Sequence, residues 1–226
     1  MAALIRLSGV TKIYGQGERR VVALDGVDLD IAPGEFLVIK GKSGCGKTTL
    51  LAVMGALEVP TRGRVSAFGR DLAGLSERDL SRYRRERVGT VFQSFNLIPV
   101  LDVAENVALP LLLNGTSTSE ARGRAWALLD DVGLTARAHH LPHELSGGEA
   151  QRTAIARALV CDPPLIIADE PTGNLDSRTG GNIIALLADL ARRRARTVVL
   201  ATHGQDIDAV ASRVLIMHDG RIQGSS

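Results

Sequence analysis

The stretch GKSGCGKTTLL, residues 41–51, sets glycines, lysines and two adjacent threonines between two apolar runs. On its N-terminal side FLVIK, residues 36–40, is an apolar run that ends at Gly41 and reads as a buried strand. On its C-terminal side TTLLAVMGAL, residues 48–57, has the length and composition of a helix. The loop between them follows G-x-x-x-x-G-K-[ST] position by position at Gly41, Gly46, Lys47 and Thr48. The glycines let the backbone curl until several N–H groups converge on one anion, and the helix start adds its positive end. Lys47 brings a mobile ammonium and Thr48 a hydroxyl for Mg2+, so a nucleoside triphosphate is the natural ligand. An ordinary strand-to-helix turn is the competing reading, and the motif alone leaves kinases, GTPases, helicases and transport motors open.

A second buried strand, LIIADE at residues 165–170, ends in two carboxylates. Asp169 is placed to hold Mg2+, directly or through water, and Glu170 to polarise the water that attacks a γ-phosphate. Such acids can be a plain polar terminus, but strand-borne acids and strand-borne loops meet at the C-terminal edge of one parallel sheet. TVVLATH (197–203) and VLIMHDGRI (214–222) continue a strand, helix, strand alternation, which implies an α/β fold whose parallel sheet is covered on both faces. Toward the N-terminus, LIRLSGV and VVALDGVDLDI are short alternating segments punctuated by glycines, the pattern of a small antiparallel sheet. Residues 76–88 read as a basic, solvated helix capped by Ser76, with Glu77 and Asp79 complementing its dipole. Residues 102–113 and 119–133 also read as helices, the second carrying Trp126 as a packing residue, and a further helix starts at Ser146-Gly147-Gly148.

The bulk composition excludes more than it assigns. With 226 residues, 45% hydrophobic and 23% charged, the chain is ordinary globular material, and a net charge of +2 announces neither nucleic acid nor a membrane surface. The arginine run RRRAR at 192–196 is read as a solvated helix end. No stretch approaches the length needed to cross a bilayer and the N-terminus has no secretory pattern, so a cytoplasmic chain is expected. Cys45 and Cys161 have neither disulfide-framework nor zinc spacing and read as reduced packing residues. Cys45 lies inside the phosphate loop, where the helix terminus and Lys47 are expected to make it sensitive to alkylation, with ATP protecting it.

The segment LSGGE, residues 145–149, decides the family. Its serine and glycines open a helix (AQR, then TAIARALV) whose N-terminus is suited to a second anion. With it the chain resembles the ATP-binding cassette (ABC) ATPases, the nucleotide-binding subunits of ABC transporters and their relatives. The resemblance covers essentially the whole chain. It includes Tyr14 where an adenine-stacking aromatic is expected, Gln93 in VFQSFN, Asn174-Leu175-Asp176 after the acidic strand, and His203 after the next one. GERRVVAL, FQSFNLIPVLDVAENVALPL and DEPTGNLD resemble the branch serving lipoprotein release, macrolide or peptide export and cell-division complexes. Lys42, Ala168 and Gly204 depart from the common pattern, the last leaving the orientation of His203 less constrained.

The resemblance implies a single P-loop ABC ATPase domain over 1–226. Its nucleotide-binding core and antiparallel β-subdomain comprise 1–92 and 153–226, and an inserted α-helical subdomain with the signature segment comprises 93–152. It implies ATP and Mg2+ as cofactors, bound by Tyr14, by Gly41, Lys42, Ser43, Gly44, Cys45, Gly46, Lys47, Thr48 and Thr49, and by Asp176. Ser146, Gly147, Gly148 and Glu149 of a second copy close over the same nucleotide. Thr48, Gln93 and Asp169 are implied as metal ligands, and Glu170, His203, Lys47 and Gln93 as catalytic groups. Implied partners are a second copy and integral membrane permease subunits, which place the chain on the cytoplasmic face of the membrane, with no nucleic acid. Phe95, Leu97 and Ile98 either line a groove for a short permease helix or belong to the helical core. A non-transport cassette acting on nucleic acid or the ribosome is the alternative, disfavoured by the absence of a long coiled-coil insertion or second cassette. An ATP-binding scaffold that does not hydrolyse is disfavoured by the presence of Glu170 and His203. Cargo is not legible, because substrate pockets lie in the permease.

Overall fold

The computed structural model describes residues 3–203, 207 and 209–225. In chain order these form β1 (Ile5–Tyr14), β2 (Val21–Ile31), β3 (Phe36–Lys40), α1 (Lys47–Met54), β4 (Arg62–Ala67), β5 (Arg70–Asp71), α2 (Glu77–Arg87) and β6 (Val88–Val91). There follow α3 (Val103–Leu113), α4 (Thr118–Asp131), α5 (Gly147–Leu159), β7 (Leu165–Asp169), α6 (Ser177–Arg193), β8 (Thr197–Thr202), β9 (Arg213–His218) and β10 (Arg221–Ser225). Helix starts follow the capping chemistry of the sequence. Ser76, Asp102, Ser117, Ser146 and Asp176 each accept a backbone N–H from the first turn of the helix they open.

The strands form a four-stranded antiparallel sheet, β2-β1-β4-β5, and a six-stranded sheet, β10-β9-β3-β8-β7-β6. In the larger sheet β9, β3, β8, β7 and β6 are mutually parallel and only β10 runs against its neighbour. A parallel sheet must be covered on both faces, and the period-two alternation of its strands divides the core accordingly. Phe36, Val38, Ile166, Ala168, Val198 and Leu200 pack with α3, α4, α5 and α6. Their chain neighbours Leu37, Ile39, Leu165, Ile167, Val199 and Ala201 pack with α1 and the antiparallel sheet. The phosphate loop, leaving β3 between β8 and β9, therefore opens at the C-terminal edge of the sheet with a layer on either side.

Three expectations are corrected. The helix expected over 48–57 starts at Lys47 and stops at Met54, because Gly55 caps it and Ala56 takes a positive φ of 54° that an α-helix cannot continue. VLIMHDGRI is two strands: Asp219 (φ 45°) and Gly220 (φ 76°) form the two-residue turn that joins β9 to β10 as a hairpin. Strand β6 has no counterpart among the expected elements, its four residues following directly on the charged helix α2. Gly204 lies outside the described residues. Among the described residues no helix is long and apolar enough to cross a membrane.

Ile39, fully buried on β3 one residue before the strand's end, couples the sheet to the phosphate loop. Ile39→Ala is expected to cost about 2–5 kcal/mol of stability, read from the shift of a denaturant unfolding midpoint.

Candidate nucleotide site

The phosphate loop is seated by close backbone approaches. Gly46 has φ 105°, and a Cβ there would lie 2.3 Å from the Ala23 carbonyl oxygen of β2. A Cβ on Gly41 would lie 2.5 Å from both Cys45 Sγ and the Met217 carbonyl oxygen of β9. Neither position tolerates a side chain, which is the physical content of both motif glycines. The Gly220 N–H at the β9–β10 turn donates to the Cys45 carbonyl at 2.9 Å and ties the loop to the hairpin. Lys47, 6% exposed, folds back over the loop, its Nζ donating to the carbonyls of Gly41 (2.8 Å) and Lys42 (3.2 Å). Lys42, Ser43, Gly44 and Thr48 are exposed at the mouth, and Thr49 is half-buried. Cys45 is 5% exposed with its sulfur against Gly41, so burial opposes the expected ready alkylation.

Across the mouth lie the two acids of β7. Asp169 has its carboxyl pushed above the ordinary range by burial; a Thr48 hydrogen bond opposes this, the Glu170 charge adds to it and Lys47 counters it. Its Oδ1 is buried with no hydrogen-bond partner. Glu170 is held on both sides: Oε1 lies 3.5 Å from Lys47 Nζ, and Oε2 lies 2.8 Å from His203 Nδ1 and 3.3 Å from the His203 backbone N–H. Facing a carboxylate, Nδ1 carries the ring proton. The histidine ring itself is 69% exposed.

An orphaned carboxylate oxygen beside a threonine hydroxyl suits a hard cation that takes few protein ligands and completes its shell with phosphates and water. Among the described residues no group of three or more His, Cys, Asp or Glu is arranged to hold a metal ion.

The remaining expected residues fall into two groups. Gln93 approaches Asn174, its Nε2 donating to Asn174 Oδ1 at 3.4 Å while Asn174 Nδ2 donates to the Gln93 carbonyl at 3.0 Å. Gly173 leaves room for it, since a Cβ there would lie 2.7 Å from Gln93 Nε2. Tyr14 ends β1 with its ring 38% exposed and the Lys12 ammonium 5.0 Å from its centroid. Asp176 caps α6 by accepting the Thr179 N–H at 3.0 Å, and the Thr179 side chain together with that N–H holds its carboxyl below the usual range. Ser146 and Glu149 do not join the phosphate loop of their own chain. Their side chains hydrogen-bond to each other and Glu149 also accepts from Arg137, while a Cβ on Gly147 or Gly148 would meet Leu175 or Thr179.

The residues that sequence reasoning missed are supports: Ala23, Met217 and Gly220 behind the loop, and Arg137 beside the signature helix. Of these only Gly220 carries a local signal, the Asp-Gly turn dipeptide. Phe95, Leu97 and Ile98 belong to neither core cluster. Their loop is clamped from beneath, Arg157 donating to the carbonyls of Phe95 and Asn96, and the buried Asn106 bracketing Ile98 through both its N–H and C=O.

A glycine-lined phosphate loop between a parallel strand and a helix, with an acidic strand alongside, defines a P-loop nucleoside triphosphatase. The ABC transporter family profile matches residues 24–173. The lipoprotein-releasing system ATP-binding protein LolD of Xanthomonas campestris is 44% identical over 98% of this chain and 93% of its own length. The macrolide export ATP-binding/permease protein MacB of Hyphomonas neptunium is 45% identical over 99% of this chain, which spans 34% of that longer protein. The solved dimeric cassette MJ0796, in a post-hydrolysis state bound to ADP and Pi, superposes with a TM-score of 0.90 at 42% identity, over 98% of this chain and 97% of the other. The chain belongs to the ABC transporter family, as an ATP-binding cassette that hydrolyses ATP.

Burying Asp169 charged costs the fold free energy. A carboxyl raised in the folded state contributes stability that is present below its unfolded value of 3.8 and is lost as pH climbs through that value and on through the folded one. Asp169→Asn is therefore expected to raise the thermal midpoint at pH 7 without nucleotide, as followed by circular dichroism, while weakening the Mg2+ dependence of ATP binding.

Proposed function

We propose that this chain is the motor subunit of a transporter of the lipoprotein-release and macrolide-export type. In this reading two copies close around two ATP molecules and drive separate membrane permease subunits, which hold the chain on the cytoplasmic face. The branch is supported by the LolD and MacB similarities over nearly the full chain. One observation carries the chemistry: the Glu170 carboxylate is suspended between Lys47 and His203, one residue beyond Asp169, at the mouth of the phosphate loop.

Glu170 is the base that takes a proton from the attacking water. His203 fixes its orientation through Nδ1–H and reaches toward the γ-phosphate with the rest of its ring. Lys47 leaves the loop carbonyls for the β- and γ-phosphates, and the loop N–H groups from Gly41 to Thr49 surround the phosphate chain. Thr48, Asp169 and Gln93 are the residues that would hold Mg2+, and the bound ion would supply positive charge against the phosphate oxygens. Tyr14 stacks on the base, its exposed ring at the end of β1 being free to do so. Ser146, Gly147, Gly148 and Glu149 face the nucleotide held by the other copy, because in their own chain they are engaged beside α6 and Arg137. Asp176, capping α6 close to them, belongs to the same contact. The whole chain acts as one ABC ATPase domain, its core made by 1–92 and 153–226 and its helical lobe by 93–152.

A nucleic-acid role finds no support in the arginine run: Arg193, Arg194 and Arg196 pair with Asp189, Asp131 and Asp162 of the same chain. The exposed side chains of Ile98 (36%) and Val100 (79%), with half-buried Phe95 and Leu97, offer the permease an apolar seat.

In Glu170→Gln, Mg-ATP binding is retained, turnover falls by at least about 100-fold, and a stable dimer accumulates on gel filtration. Unchanged turnover would mean that a group other than Glu170 takes the water proton. For the permease seat, Phe95→Ser with Leu97→Ser is expected to abolish co-purification with membrane subunits while leaving ATP binding intact. Retained co-purification would place the contact elsewhere.

A further inference from the structure

The signature helix α5 opens with a carboxylate in its first turn, on the very face offered to a triphosphate. Glu149 accepts the Ser146 backbone N–H at 2.8 Å and the Ser146 hydroxyl at 2.7 Å, both on Oε2. Its other oxygen, Oε1, accepts Arg137 Nε at 2.9 Å. Arg137 is steadied from a second side, its Nη1 donating to His140 Nε2 at 3.1 Å, which takes the neutral imidazole with that nitrogen bare. The hydrogen bonds from Ser146, with those of Arg137, hold the Glu149 carboxyl down to about 2, so it is ionised throughout the neutral range.

This arrangement poses two electrostatic problems for ATP capture. The negative carboxylate opposes the incoming phosphates and offsets the positive end of the helix. It also claims the hydroxyl proton that Ser146 must turn toward the phosphate. We propose that Arg137 is a positioning residue that relieves the first of these: by offsetting part of the Glu149 charge it keeps the α5 N-terminus attractive to the nucleotide of the other copy. The proposal rests on the reading that Ser146 meets a nucleotide bound by a second chain, and it assigns Arg137, outside every motif, a share in dimer closure.

The role is one of charge, so it can be separated from packing by a compensating change. In a hydrolysis-blocked Glu170→Gln parent, light scattering gives the Mg-ATP concentration for half-maximal dimer formation. Arg137→Met keeps the apolar stem and removes the charge; it is expected to raise that concentration roughly tenfold. Arg137→Lys recovers most of the loss. Adding Glu149→Gln to Arg137→Met recovers it as well, because no carboxylate is then left to neutralise. Binding of a fluorescent ATP analogue to dilute monomer is unchanged in every variant, since the phosphate loop lies elsewhere. Arg137 is 47% exposed, and the thermal midpoint of Arg137→Met is expected to stay within a few degrees of the parent. An unchanged ATP requirement in Arg137→Met, or a loss that Glu149→Gln fails to relieve, overturns the proposal while the dimer reading stands. A parent that binds ATP and remains monomeric overturns both.

Discussion

The nucleotide site depends on one close approach: the Ala23 carbonyl of β2 occupies the space in which a side chain at residue 46 would begin. That contact presses the antiparallel sheet against the turn that starts α1, while the Met217 carbonyl presses from β9 on the turn's other end at Gly41. Each is a backbone surface, and neither yields as a flexible side chain would. The path of the loop is thus bounded by backbone at both of its motif glycines. The Gly220 N–H bond to Cys45 and the Asp25 N–H bond to Gly220 then fasten β2, the loop and the β9–β10 hairpin into one frame.

This frame explains why the antiparallel sheet, which supplies few chemical groups, belongs to the site. It contributes Tyr14 at one end and the Ala23 wall at the middle, and its hydrophobic face shares a core with α1 and with one face of the parallel sheet. The helices α3 to α6 share the other core. The larger sheet thus lies between the core beside the phosphate loop and the core shared by the helices. The long loop from Gln93 to Leu101 is pinned by Asn106 and Arg157.

What was legible in the sequence follows from how local each signal is. The phosphate loop, the acidic strand and the Ser146 helix start are defined by neighbours within a few residues, and each lies on the kind of element its pattern implied. The Ser76 cap was legible for the same reason. The end of α1 was not, because an apolar run continues past Gly55 and only the backbone turn at Ala56 stops the helix. The β9–β10 hairpin was hidden by an apolar stretch, although its Asp-Gly pair is a strong turn signal. Arg137 and Met217 were invisible for a deeper reason: their importance is set by what lies opposite them in space, Glu149 in one case and Gly41 in the other.

The paired acids show how a fold departs from its own regularity to make a site. Along β7 the side chains alternate, Ala168 toward the helices and Asp169 toward α1, where Thr48 reaches it. A continued strand would send Glu170 to the helical side, away from the phosphate loop. Instead Glu170 takes φ 45°, an uncommon conformation for a side-chain-bearing residue that costs about 1–3 kcal/mol. Its N–H bonds to the Ala201 carbonyl and its C=O accepts the Gly173 N–H, so the turn is enforced from β8 and from its own following loop. The turn brings two adjacent carboxylates to one mouth in different environments. Asp169 is half-buried with one buried, orphaned oxygen suited to a cation, and Glu170 is poised between an ammonium and an imidazole with a share of solvent. A regular strand delivers only one of them, so the strain at Glu170 is the means by which a single strand end offers both of the proposed roles, a metal ligand in Asp169 and a base in Glu170.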